Sequence, residues 1–150
     1  MITKEFIIQL ISATVGTFGF GMIFGLKLKY LITVTFGGFL SCGIYLSGMY
    51  LLDGNIFFAT LLAGAFAALY SEISARIMKA PSTLFFVTTI ISLVPGRALY
   101  YTCSSAVLRD WAGCKSNANI TLQYALAIAA GACIIWAIML TIENVKKLKK

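Results

Sequence analysis

Apolar residues run in long blocks separated by short polar interruptions, and each block approaches the about 20 residues a helix needs to cross the hydrocarbon of a bilayer. The first block covers 6–26 and is closed by Lys27-Leu28-Lys29. The second, 30–52, stops at Asp53-Gly54-Asn55, a strong turn signal. The third, 56–76, runs out through Glu72 and Arg76. Pro81 opens a fourth, 82–108, and a polar stretch (Arg109, Asp110, Lys115, Ser116, Asn117) reads as the loop before a fifth, 119–142. The pattern predicts an all-α integral membrane protein, a single transmembrane domain over 1–150 with about five transmembrane helices.

The fourth block breaks the pattern. It holds 27 residues, which as one straight helix would reach about 40 Å, well beyond the ~30 Å hydrocarbon. Pro95 near its middle has no N–H to donate and clashes with the carbonyl one turn back. Gly96 behind it adds freedom to bend. The expectation is two half-helices, 82–94 and 96–108, meeting near the midplane. Non-helical backbone at that depth is tolerated only where protein buries it or a wet cavity faces it. The second half-helix would aim its positive N-terminal end at that cavity, as broken helices do in transporters. Arg97, one residue past the break, adds a full charge where charge is costly. Thr88, Thr89 and Ser92 before the break, and Tyr100, Tyr101 and Thr102 after it, supply hydroxyls. Two readings stay open: Pro95, Gly96, Arg97, Tyr100, Thr89 and Ser92 bind a small substrate, or the proline only kinks the helix while the hydroxyls bond their own backbone.

Composition agrees with a bilayer. Hydrophobic residues make up 60% of the chain and charged ones 11%, with mean hydropathy +0.92, against about a quarter charged in soluble domains. The net charge of +7 does not point to nucleic acid. Four basic residues crowd the last five positions and most others flank apolar blocks, as orientation signals and anionic-lipid contacts do. No histidine is present and the four cysteines form no CxxC, so zinc and haem lack their ligands and no metal or cofactor is implied. Cys42 and Cys133 read as small core residues, whereas Cys103 and Cys114 could approach one membrane face and pair. A serine nucleophile would lack a base, so no enzyme is expected. The first apolar run is longer than a signal-peptide core and lacks a small-x-small cleavage site, and is kept as a span.

Five spans put the termini on opposite sides. With the C-terminus inside, that side carries eight basic residues (Lys27, Lys29, Arg76, Lys79 and the four tail lysines) against Lys4, Arg109 and Lys115 outside. The positive-inside rule then gives the N-terminus outside and the C-terminus cytoplasmic. Glycines crowd the first two spans, including a Gly21-x-x-x-Gly25 step, and Ala63, Gly64, Ala65, Ala67 and Ala68 fill the third. Small residues let helices approach in lipid. Glu72 and Arg76 are spaced i,i+4, the favourable order for a helix-surface ion pair. A buried Glu72 could instead carry a coupling proton.

The stretch SEISARIMKAPSTLFFVTTIISLVPGRALYYT, residues 71–102, resembles the signature region of the threonine/serine exporter family, and the whole chain looks like the small, five-span subunit of its split form. Ser71-Glu72, Arg76, Lys79, Pro81, Leu93-Val94-Pro95-Gly96 and Tyr100 carry the resemblance. It implies proton-coupled export of threonine and serine across the bacterial inner membrane, some split pairs being linked instead to succinate. It also implies a larger partner subunit bearing the other half of the transporter, with a homo-oligomer or a purely structural membrane subunit as other outcomes. Arg97 departs from the pattern, which has a small or uncharged residue after Pro-Gly. That places its charge outside the shared mechanism, as a bias towards an anionic substrate or a contact with a phosphate or partner acid.

Overall fold

Turn chemistry sets where each helix ends. The computed structural model describes residues 2–148. Helix α1 (Ile2–Ile23) stops where Gly25 turns left-handed at φ 65°, and α2 (Leu28–Leu51) follows from extended Lys27. Asp53 and Gly54, at φ 48° and 80°, close α2. The Asn55 carboxamide oxygen then accepts from Phe58 N–H at 3.3 Å and caps α3 (Ile56–Met78). Left-handed Lys79 ends α3, and Pro81 cannot continue a helix, so the chain restarts as α4 (Ser82–Ile90). A 3₁₀ turn, Ile91–Leu93, leads through Val94 and Pro95 into α5 (Gly96–Val107), bent 65° from the preceding segment. The break falls where the proline predicts. Four helices are long and apolar enough to cross a membrane, and five if the bent pair forms one span.

Helix α6 corrects the boundary expected after the fourth span. The polar stretch after Arg109 is not a loop: α6 runs as one helix over Trp111–Leu148, 38 residues, or about 57 Å. Asp110 accepts from Gly113 N–H at 3.1 Å and caps it. Asn117 donates to the Gly113 carbonyl at 2.9 Å and Thr121 to that of Asn117 at 2.9 Å. Polar side chains that would compete with a helix thus bond back onto it.

Helix α3 is the hub, packing on α2, α4 and α6. Its small face, with Ala59, Ala63, Ala67 and Ala68 fully buried, meets Ala132 of α6 and Phe86 of α4, whose ring lies edge-on to Trp136 at 5.0 Å. A second cluster joins Val34, Ala75 and Phe85, with Tyr30 edge-on to Phe85 at 5.7 Å. Gly64 faces the backbone of Ile128, and Gly131 faces that of Leu61 and Ala65; further along, Glu72 and Arg76 share a concavity with Trp136 and Leu140, so α3 and α6 run parallel. The α4–α5 pair must therefore carry the chain from the far end of α3 back to the start of α6. Counting back from the Gly64–Ile128 contact, Ile56 stands level with residue 120. The start of α6 and the second half of α5 thus reach roughly 14 Å past α3 at 1.5 Å per residue. That tip carries Ser104, Ser105, Arg109, Asp110, Lys115, Ser116 and Asn117, a polar end suited to water.

Gly21 packs on Leu31 of α2, but the other glycines of the first block do not pack. A side chain added at Gly16, Gly19 or Gly25 would meet nothing within 4 Å. The Gly21-x-x-x-Gly25 step is not a packing face, because Gly25 lies past the helix in its terminating turn. No disulfide joins Cys103 to Cys114; all four cysteines are free thiols.

Candidate functional site: a cavity at the broken helix

Ser92, Val94, Pro95 and Arg97 line a cavity of about 620 Å³. Helix α1 contributes Gln9, Ser12 and Thr17, α2 contributes Cys42 and Tyr45, and α6 contributes Tyr124 alone. The break is held in place by α2: Ser92 Oγ donates to the Thr89 carbonyl at 3.0 Å and lies 3.4 Å from that of Gly38. Pro95 is the N-cap of α5, and the first α5 bond runs from Leu99 N–H to the Pro95 carbonyl at 3.0 Å. The N–H groups of that first turn have no partner within their own helix, so the α5 end nearest the cavity is electropositive. The Arg97 guanidinium adds a full charge and lies over the Tyr101 ring at 5.7 Å. Helices α1 and α6 both line the cavity and have no substantial contact with each other.

The expected residues divide. Ser92, Pro95 and Arg97 share the cavity; Gly96 is the first residue of α5 beside them. Thr89 does not reach it. It is fully buried against α2 near Gly37, its hydroxyl without a hydrogen-bond partner. Tyr100 is 68% exposed and turned away from the cavity, its ring edge-on to Tyr101 at 5.5 Å. Glu72 and Arg76 approach to 4.0 Å, one turn apart on α3. They flank a separate concavity of about 400 Å³ with Ser82, Thr83 and Trp136, near the opposite end of the bundle from the α5–α6 tip. Glu72 is the more enclosed partner, its side chain 18% exposed against 46% for Arg76. Among the described residues no cluster of His, Cys, Asp or Glu could hold a metal ion.

The unsatisfied Thr89 hydroxyl allows a direct check on its role. Valine keeps the shape and removes a polar group that has no partner, a change that is near neutral or stabilising by about 1 kcal/mol. Thr89→Val is therefore expected to melt at or above the parent temperature and to keep its transport rate. A lost rate at unchanged melting temperature would put the hydroxyl on the substrate path.

Gln9, Ser12, Tyr45 and Tyr124 had no distinguishing motif. Gln9 is the one carboxamide inside the first apolar block, and an amide at that position is the signal that could have singled out α1 as a cavity wall. Tyr45 and Tyr124 are 79 residues apart, and their hydroxyls hydrogen-bond each other beside the cavity.

A polar-lined cavity at a broken membrane helix is a place to hold a small solute. The family model described as Threonine/Serine exporter, ThrE, matches residues 9–138 of the chain, which takes in every residue lining this cavity except Ile8. No curated protein and no solved structure matches the chain. The matched segment spans all five apolar blocks and the break between α4 and α5, and the chain belongs to the threonine/serine exporter family.

Proposed function

We propose that this chain is one half of a proton-coupled exporter that carries threonine and serine across the bacterial inner membrane together with a larger subunit. The observation that carries the reading is the cavity at the Pro95-Gly96 break, where an electropositive helix end and Arg97 face Ser92 and Gln9. A zwitterionic amino acid has a carboxylate for the first pair and an ammonium and hydroxyl for the neutral polar groups. Helices α1 and α6 both line the cavity without packing on each other, which supports a site completed by another polypeptide. Within the site, Pro95 and Gly96 place the helix end, while Arg97 and Ser92 contact the substrate. Thr89 sits behind the break, and Tyr100 would contribute only after a rearrangement of α5. Glu72, paired with Arg76 and largely enclosed, is the carboxylate for a coupling proton, with a plain structural ion pair as the competing role. The chain crosses five times, with the N-terminus outside and the C-terminus cytoplasmic, and performs no catalysis.

The charge of Arg97 favours a second reading, a dicarboxylate such as succinate, because a second carboxylate would also be neutralised there. The test is efflux from cells that lack both subunits and are loaded with a threonine-containing dipeptide. The chains are restored singly and together. Threonine efflux only with both chains present establishes the half-transporter. If both chains are expressed and threonine stays trapped while succinate leaves, the second reading replaces the first. Efflux from this chain alone points to a homo-oligomer, and no efflux of either solute leaves a structural subunit.

A further inference from the structure

Helices α2 and α6 each pack on α3 and barely on each other. The direct link between them is the pair of hydroxyls at Tyr45 and Tyr124. Their rings lie 5.9 Å apart, tilted by 45°, and both residues line the cavity at the break. Tyr124 is the one cavity-lining residue that α6 supplies, so the wall on that side stands or falls with this pair. Cys42, three residues before Tyr45 on α2 and therefore on nearly the same helix face, also lines the cavity and is 5% exposed. In the same cavity lining, the 3₁₀ turn and Pro95 replace a continuous helix.

We propose that the Tyr45–Tyr124 hydroxyl pair is a latch that closes the cavity on its α6 side and parts when the site changes its exposure. A single hydrogen bond between side chains suits that role. In lipid such bonds between helices are of modest strength, enough to bias two arrangements and weak enough to be exchanged for bonds to substrate or water. Phe86–Trp136 and the Gly64–Gly131 contacts fix α6 to α3 and α4 further along, while its earlier part packs on α5, so the end of α6 bearing Tyr124 can move together with α5 about a held segment. The inference rests on the cavity being the transport site, but its test does not use transport.

The probe is the native Cys42 thiol, with Cys103, Cys114 and Cys133 replaced by serine in the full chain, co-expressed with its partner and kept in membranes. The rate of modification by a small, charged methanethiosulfonate is measured for the parent, Tyr45→Phe, Tyr124→Phe and the double variant. Each single change breaks the same bond, so each is expected to speed modification about fivefold, and the double variant no further. Phenylalanine keeps the ring, and if one single variant is poorly folded the other breaks the bond from the opposite helix. Unchanged rates, or a double effect equal to the product of the two single effects, would overturn the latch. A lowered melting temperature at unchanged modification rate would reduce the pair to a brace. Threonine efflux is scored separately, so a failed latch and a failed exporter assignment give different results.

Discussion

Replacing Arg97 with alanine is expected to cut threonine efflux by about tenfold or more, the factor that follows from losing one charge-assisted bond to a carboxylate. The chain should still insert and fold, because the side chain's contact within the protein is the Tyr101 ring at 5.7 Å, and such contacts add little at open sites. Lysine separates charge from geometry. It keeps the positive charge but not the planar fork that engages a carboxylate through two parallel bonds. Arg97→Lys is therefore expected to fall between the parent and alanine, and to lose more in apparent affinity than in maximal rate. Efflux measured over a range of internal threonine concentrations distinguishes the two parameters. Parental efflux from Arg97→Ala would remove the charge from the substrate path and leave the α5 helix end and Ser92 to hold the solute. In that event the charge at position 97 would have no transport consequence.

The second large effect is structural. Gly131→Val is expected to prevent α3 and α6 from docking and to remove most of the folded protein. A Cβ at this position would lie 2.6 Å from the Leu61 carbonyl oxygen and 2.7 Å from the Ala65 amide nitrogen. Both obstacles are backbone, so no rotamer change relieves them and the helices must move apart. That movement would strip Ala132 and Trp136 from Ala67, Ala68 and Phe86. Overpacking a tight interior site costs about 1–3 kcal/mol. In lipid the lost dispersion contacts are the force that holds helices together, since tails are as apolar as leucine. The control is Gly19→Ala, where an added Cβ meets nothing within 4 Å. It removes a helix-interior glycine and should leave stability equal or slightly raised. The two variants are compared by fluorescence-detected size exclusion after heating. Equal behaviour would mean that the α3–α6 approach is not what fixes the bundle.

The break shows why one part of the site was readable. Proline's missing N–H and ring clash are properties of a single residue, so Pro95 marks the end of the 3₁₀ turn and the start of α5 without reference to any other part of the chain. The length of the apolar blocks is similarly local: the middle helices follow them with ends shifted by no more than two residues, whereas α1 begins four residues before its block and α6 extends eight and six residues past its block. The polar stretch after Arg109 reads as a loop yet folds as a helix for a physical reason. Polar residues were expected to leave the helix, but Asp110, Asn117 and Thr121 bond to it instead. Beyond the hydrocarbon, a helix carries polar side chains at no desolvation cost.

Helix facing was less accessible. Thr89, Ser92 and Tyr100 all flank the break in sequence, but α4 turns Thr89 into the bundle, the 3₁₀ turn holds Ser92 on Gly38, and α5 turns Tyr100 outward. A 65° bend resets the face that each later residue presents, and no periodicity runs through it. Tyr45 and Tyr124 are a stronger case, because each is an ordinary tyrosine in an apolar helix until α3 brings α2 and α6 to its two sides.

By itself the sequence determined the class of the protein, its helical blocks, the position of the break and the presence of a charge beside it. These depend on hydrophobic run length and on the covalent geometry of proline, both of which act within a few residues. The tertiary structure decided which helices wall the cavity, which hydroxyls face it, and that Gly131 rather than Gly16 or Gly19 meets a neighbouring backbone closely. Those outcomes depend on where backbones from distant segments meet, and in a bilayer that is settled by dispersion packing between whole helix faces, to which every residue along the contact contributes a little.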